Sequence, residues 1–128
     1  HDAARPCVTT ACLEQLYQTA VATDQSAILA IPVRDTLKKV SQGTKIKTTV
    51  SRDQLWQAQT PQIAKLDVLK TAIESALKQQ LTITDEASAL EAAGQIVNIV
   101  HGRSDNIKIT YPDDLELARL ILASQQCG

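Results

Sequence analysis

Three short polar stretches of this chain carry residue types that handle phosphate. They are His1-Asp2-Ala3-Ala4-Arg5-Pro6 at the start, Asp85-Glu86-Ala87-Ser88 in the middle, and Gly102-Arg103-Ser104-Asp105-Asn106-Ile107-Lys108, which runs on to Thr110. Each sits at the edge of an apolar run, where α/β proteins place their chemistry. Arg and Lys hold phosphate oxygens, hydroxyls add donors, and a carboxylate holds a divalent cation. Other chemistries lack their residues. No Ser-His-Asp spacing, His-rich metal site or Gly-rich phosphate loop is visible, and His1 and His101 stand alone.

Each of these residues also has a structural reading. Asp2, at a strand end, is either a ligand-facing acid or the head of an Asx turn that bonds only nearby backbone. Lys108 alternates with Ile107 and Ile109, so it points away from them, either to solvent or into a site if that face opens on one. Asp85 and Glu86 fall in the first turn of a helix, where acids suit the helix dipole and cap the turn.

The elements that must position these stretches follow from pattern. Pro6 blocks a ladder, so residues 1–6 read as a strand exit turning into a loop. Thr9 to about Ala22 is predicted helical, with Leu13, Leu16, Tyr17, Ala20 and Val21 at helical spacing and Thr9 or Thr10 as cap. Ser26 to Val33 is a continuous apolar run, which predicts a strand buried on both faces as in a parallel sheet. Arg34 to Gln59 changes character. Lys38, Lys39, Lys45 and Lys47 crowd into it, Gln42-Gly43 marks a turn, and Thr36–Val40 and Lys45–Val50 read as the limbs of an exposed arm. Such a hairpin is marginal alone and needs a partner, most simply another subunit, unless it is a solvated loop.

Thr60-Pro61 has the N-cap and N1 pattern of a helix start, which predicts a helix to about Gln80 with Ile63, Leu66, Leu69, Ile73 and Leu77 on its inner face. Trp56 reads as a packing residue. Thr84 is expected to cap a short helix that Gly94 ends. Gln95–Val100 and Asn106–Thr110 are predicted strands. The last helix opens near Pro112, with acids in its first turn, and Leu115, Leu117, Leu120 and Ile121 are expected to bury it.

Composition narrows the class. A chain of 128 residues suits one domain. With one Trp, two Tyr and no Phe, its core must be aliphatic. A net charge of -1 supplies no basic field, which argues against nucleic-acid binding. No run approaches the ~20 apolar residues of a membrane span, and no signal-peptide pattern opens the chain. The odd set Cys7, Cys12 and Cys127 lacks metal-ligand spacing and predicts buried thiols in a reduced, cytosolic setting. The chain opens on His1 and contains no Met. Its first residues read as functional chemistry without a strand before them, so it is expected to be the C-terminal part of a longer protein.

The motifs HDAARP (1–6), PVRDTLK (32–38), SRDQLWQAQTPQ (51–62), TDEASALE (84–91), GRSDNIK (102–108) and YPDDLELA (111–118) stand here in one order. In that order and spacing the chain resembles the 2-C-methyl-D-erythritol 4-phosphate cytidylyltransferases over essentially its whole length. Any one motif is weak; six in sequence are specific. The resemblance implies an α/β fold, a Rossmann-like nucleotidyltransferase sheet present here in part, with a protruding β-arm at about 34–59 that makes a homodimer. It implies transfer of CMP from CTP to 2-C-methyl-D-erythritol 4-phosphate, with Mg²⁺, releasing pyrophosphate in non-mevalonate isoprenoid biosynthesis. Nothing resembles a plastid transit peptide, so a bacterial, cytoplasmic enzyme is expected.

Carried over by motif, the resemblance implies Arg52, Lys108 and Asp2 as catalytic residues. Thr36, Arg52, Thr60, Thr84 and Lys108 would contact the methylerythritol phosphate, with Thr36 and Arg52 reaching it from the neighbouring subunit's arm. Asp2, Ala3 and Arg5 would lie at the nucleotide, and Asp2 with Asp105 near the metal. The family's glycine-rich loop and most of its cytosine pocket have no counterpart in these residues, so the chain by itself is expected to be inactive. A pentitol-phosphate cytidylyltransferase, or a non-catalytic product that keeps only the dimerising arm, are the alternatives.

Overall fold

The computed structural model describes residues 1–127. Its elements are α1 (Thr10–Thr23), β1 (Ser26–Pro32), β2 (Leu37–Val40), β3 (Ile46–Val50), β4 (Trp56–Ile63), α2 (Leu66–Lys78), α3 (Glu86–Ala92), β5 (Val97–His101) and α4 (Pro112–Cys127). The apolar run of β1 does what its composition dictates. It is the centre of a three-stranded sheet in the order β4-β1-β5, antiparallel to β4 and parallel to β5, and Ser26 to Ala30 are all buried. Its alternate side chains serve two cores. Ala27 and Leu29 pack with Cys12 and Leu16 of α1 and Val100 of β5, while Ile28 and Ala30 pack with Ala87 of α3. A third cluster joins α2 to α3 through Ala72, Ala89 and Leu90. The sheet thus has α1 on one face and α2 with α3 on the other, and the fold is α/β with a mixed sheet.

Local chemistry sets most boundaries. Thr9 caps α1, its hydroxyl accepting from Cys12 N–H, and Asp24 closes it in the left-handed region at φ 54°. Gly94, at φ +76°, follows the end of α3. Strands β2 and β3 form the expected hairpin as a separate two-stranded sheet, Leu37 opposite Val50 and Lys38 opposite Thr49. Every residue from 38 to 58 is exposed. The hairpin is rooted where Val33 N–H donates to Leu55 O (3.0 Å). The arm is shorter than the expected span, because Trp56 to Gln59 belong to β4 in the main sheet.

Four expectations are corrected. Thr60-Pro61 does not start a helix. It lies inside β4 with a cis peptide bond, and α2 begins at Leu66 behind Lys65, which makes no side-chain cap. A local cap is worth about 1 kcal/mol. Pairing with β1 at Ala27–Ile63 and Ile28–Gln62, and again at Ala30–Ala58 across an irregular register, outweighs it. The predicted apolar face of α2 is shifted, with Leu66 82% exposed and Leu77 exposed, while Ala72 and Ala76 are buried. Asn106–Thr110 forms no strand; its ties are Asn106 N–H to Arg103 O (3.2 Å) and Ile109 N–H to Ala4 O (2.8 Å). In α4, Leu115, Leu117 and Leu120 are exposed, and Ala118 is the buried contact. The Cys7 thiol, fully buried, donates to Ala118 O (3.7 Å), and Gln125 Nε2 donates to Cys7 O (2.8 Å). Small residues at Ala72 and Ala89 let α2 and α3 approach closely, while α4 is held to the loop at Cys7 through Ala118 and Gln125.

Candidate functional site

A cavity of about 440 Å³ opens where the chain start, β4, the start of α3 and the 102–108 loop converge. Its walls are His1, Asp2 and Arg5; Ala58, Gln59, Thr60 and Gln62; Thr84, Asp85 and Glu86; and Lys108. Segments far apart in sequence thus bring Asp2, Arg5, Thr60, Thr84 and Lys108 to one surface.

Asp2 heads an Asx turn and also lines the cavity. Oδ1 accepts from Ala4 N–H (2.9 Å) in an Asx turn, and Oδ2 lies 3.9 Å from Lys108 Nζ. Its backbone N–H donates to Thr60 Oγ1 (3.0 Å), fastening the opening loop to β4. Thr60 Oγ1 also pairs with His1 Nδ1 (3.0 Å), while His1 Nε2 lies 3.0 Å from Arg5 O. A carbonyl only accepts, so Nε2 carries the proton, and in the neutral ring Nδ1 takes the Thr60 hydroxyl proton. The Thr60 hydroxyl is therefore bound into the framework of the loop, with one lone pair left over.

Arg5 is a brace. Its guanidinium donates to Asn106 O (2.7 Å) and Ala58 O (3.4 Å). Burial pulls its pKa below the ordinary arginine value, and the Asp2 carboxylate opposes that shift. Arginine stays cationic through either effect.

The α3 start is built by Asp85, which corrects the expectation that Thr84 is the cap. Asp85 Oδ1 accepts from Ser88 N–H (2.8 Å), and Ser88 Oγ accepts from Asp85 N–H (3.2 Å), a reciprocal capping box. Ser88 Oγ also accepts from Thr84 N–H (3.0 Å). Gln62 holds this start against β4. Its Nε2 donates to Asp85 Oδ2 (2.9 Å) and its Oε1 accepts from Ala87 N–H (3.0 Å). Asp85 is thus spent on structure, and Thr84 is left at the cavity wall.

The remaining expected residues lie elsewhere. Asp105 takes Arg103 in a two-pronged pair, Nε to Oδ1 and a terminal N–H to Oδ2, both 2.9 Å, and does not line the cavity. That guanidinium holds the carboxyl below the usual carboxylate range. Ala3 is exposed in the opening turn, and Thr36 and Arg52 are exposed on the arm; none of the three lines this cavity. Among the described residues, no group of three or more His, Cys, Asp or Glu is placed to hold a metal ion. Asp2 is the acid with an oxygen turned to Lys108 rather than to a backbone donor. A lone carboxylate fits Mg²⁺, which commonly takes one or two carboxylates and completes its shell with phosphate and water. Sequence reasoning left His1, Gln59, Gln62 and Asn106 without roles, although all four lie inside quoted motifs, beside Asp2, Thr60 and Lys108.

Known proteins resemble this chain over nearly its whole length. The family model described as 2-C-methyl-D-erythritol 4-phosphate cytidylyltransferase (IspD) matches residues 1–124. A protein of that name from Acinetobacter baumannii (strain SDF) is 73% identical over 125 residues, covering 98% of this chain and 52% of its own length. One from Acinetobacter baylyi is 64% identical over 126 residues, covering 98% of this chain and 53% of its own. The crystal structure of the Francisella tularensis 2-C-methyl-D-erythritol 4-phosphate cytidylyltransferase superposes with a TM-score of 0.87 at 40% identity, covering 94% of this chain and 57% of that one. The chain spans about half the length of the curated relatives it matches.

Proposed function

This chain belongs to the 2-C-methyl-D-erythritol 4-phosphate cytidylyltransferase family, and from that premise we propose that the whole protein transfers CMP from CTP to 2-C-methyl-D-erythritol 4-phosphate. The products are 4-diphosphocytidyl-2-C-methyl-D-erythritol and pyrophosphate. The observation that carries this reading is the convergence of Asp2, Thr60, Thr84 and Lys108 on one cavity.

In the proposed reaction a phosphate oxygen of the methylerythritol phosphate forms a bond to the α-phosphorus of CTP. The bond from that phosphorus to the bridging oxygen breaks, and pyrophosphate leaves with the electron pair. No covalent enzyme intermediate is required. What the protein supplies is position and positive charge. Lys108, more than half exposed beside the cavity, holds the attacking phosphate against its own charge. Thr84, at the start of α3, adds a polar wall. Asp2 anchors Mg²⁺, whose contribution when bound is to neutralise the triphosphate. Arg5 keeps the Asp2 turn and the Lys108 loop in one frame.

The arm is proposed to carry Thr36 and Arg52 to the same cavity of a second copy, making the protein a homodimer. Its support is a hairpin with its own small sheet, exposed from Lys38 to Val50 among the described residues. A bacterial cytoplasmic setting is proposed from the bacterial relatives and from Cys7 and Cys12, which are free, buried thiols. Among the described residues, no helix is long and apolar enough to cross a membrane.

The test is pyrophosphate release from CTP and methylerythritol phosphate with Mg²⁺, using the protein at its full encoded length. Ribitol phosphate is the competing acceptor and Arg52→Ala the control. Release that requires methylerythritol phosphate and is lost in the control supports the reading. Release with ribitol phosphate alone replaces it with a pentitol-phosphate activity.

A further inference from the structure

We infer that Asn106 and Gln59 form a buried amide lock that positions Lys108, and that Gly102 is glycine because the lock occupies the place of its side chain. The inference rests on the proposed cytidylyl transfer and adds to it a pair of positioning residues.

The 102–108 loop carries Lys108 to the cavity, yet it has little regular structure to hold it there. Two amide side chains supply the hold. Asn106 and Gln59 are 2% and 4% exposed, and they stand with Ser26 as the buried polar residues of the chain among those described. Asn106 Nδ2 donates to Thr60 O (3.0 Å) and, more loosely, to Gln59 Oε1 (3.4 Å). Gln59 Nε2 returns bonds to the loop backbone, at Arg103 O (2.9 Å) and Asn106 O (3.4 Å). Asn106 O also takes the Arg5 guanidinium at 2.7 Å. One asparagine therefore joins β4 at Thr60, the opening loop at Arg5 and the loop that ends in Lys108. Buried polar groups are costly unless paired, and here the amide donors Asn106 Nδ2 and Gln59 Nε2 are paired while the acceptor Asn106 Oδ1 is left without a partner, so the hold rests on the two donors.

Gly102 completes the argument. A Cβ added there would lie 2.4 Å from Gln59 Oε1 and 3.6 Å from Leu29 Cβ. Gly102 is itself fixed by its N–H to Ala30 O (2.8 Å). A side chain at residue 102 would force the Gln59 amide to shift from the place where it bonds the loop. Beyond the lock, Ile109 N–H bonds Ala4 O (2.8 Å), so the segment carrying Lys108 is tied to the turn carrying Asp2.

Two measurements test the inference on the protein at its full encoded length. Amide hydrogen exchange at Ile109 reads the position of the loop without reference to activity. Asn106→Ala and Gly102→Ala, which attack the lock from opposite sides, should each speed that exchange at least tenfold while amides of β1 are unchanged. Unchanged exchange at Ile109 in both variants overturns the inference. A double-mutant cycle then reads function. Asn106→Ala should lower kcat for cytidylyl transfer ten- to a hundredfold with little change in the KM for CTP, and should cost nothing further in a Lys108→Ala background. Losses that multiply in the double variant mean that Asn106 acts by general destabilisation, and they overturn the inference. If Lys108→Ala alone keeps the full rate, the reading of Lys108 itself has failed, and the single variant shows that separately from the Asn106 series.

Discussion

Lys108 Nζ stands 3.9 Å from Asp2 Oδ2, with the lysine side chain 56% exposed and the carboxylate 32% exposed. A pair this open and this long adds little to stability, since exposed ion pairs are worth ~0–1 kcal/mol. Its significance is placement. Two opposite charges are held within reach of one cavity by a turn and a loop from opposite ends of the chain, and neither is saturated. A phosphate bearing a cation would find a counterpart for each charge there.

The first prediction follows from that weakness. Lys108→Met and Asp2→Asn should leave unfolding free energies within about 0.5 kcal/mol of the parent, as for surface changes generally. Asn at residue 2 keeps an oxygen for the Ala4 N–H, so the turn survives. Each variant should lose about 100-fold or more in kcat, the scale of removing one charge-stabilising group. Urea titration and steady-state pyrophosphate release check the two halves. Loss of activity accompanied by an equal collapse in stability would mean the pair is structural.

A second prediction separates the arm from the cavity. If Arg52 serves the neighbouring subunit, a mixture of Arg52→Ala and Lys108→Ala chains should be active although neither is active alone. Mixed dimers carry one site with both residues intact, so a statistical mixture of a symmetric dimer should recover roughly a quarter of parental activity. Denaturing and refolding the two variants together, then assaying, makes the measurement. No recovery, with mixed dimers demonstrated by a tag, would place Arg52 and Lys108 in the same subunit's site or remove Arg52 from the site.

How much of this was legible in the sequence differs by element. The cap at Thr9, the two-faced burial of β1, the exposed hairpin and the stop at Gly94 each follow from residues adjacent in sequence, and each is present. Thr60-Pro61 misleads because its local chemistry suits a helix start as well as a strand, and only pairing with β1 decides. The role of Leu66 was obscured in the same way, since helical periodicity shows that a face exists but not where the partner helix approaches. The site residues came from motif resemblance, and the cavity gathers five of them. The amides that brace it were not legible. Gln59 and Asn106 look like surface residues until the distant backbone they satisfy is in place.

The start of α3 gives a third prediction, on stability. Asp85→Ala removes the acceptor for Ser88 N–H and the partner of Gln62 Nε2, and should cost about 1–2 kcal/mol, the range of capping losses. Gly94→Ala should cost about 1 kcal/mol for a different reason. Nothing lies within 4 Å of its added Cβ, so the penalty is that of φ +76° alone. Asp85→Asn keeps an acceptor for Ser88 N–H but sets an amide donor against Gln62 Nε2, so it should recover only the cap's share of the loss, whereas Gly94→Asn, which tolerates the left-handed region, should recover most of the other. Denaturant unfolding of the four variants checks both. Equal losses for Asp85→Ala and Asp85→Asn would show that the second carboxylate oxygen, with its charge and its Gln62 bond, carries the effect rather than the cap bond.

The last prediction concerns acid. Asp114 accepts from Tyr111 N–H (2.8 Å) and Thr110 N–H (3.0 Å), and these bonds to its ionised form lower its pKa. A carboxylate with a depressed folded pKa stabilises the fold above its unfolded value, near 3.9 for Asp. That contribution fades as pH falls through the folded value. Asp114→Asn should therefore be less stable than the parent at neutral pH, and the gap should close as the solution is acidified below about pH 4. The position matters for the site because Asp114 pins Thr110, whose hydroxyl donates to Lys108 O (3.3 Å). The variant should accordingly lose some transfer rate at neutral pH, and less than Lys108→Met loses. Urea unfolding at several pH values checks the first part, and a gap constant with pH would show that the Asp114 charge contributes nothing. Such a result would leave Pro112 and the packing of Ala118 to hold the start of α4.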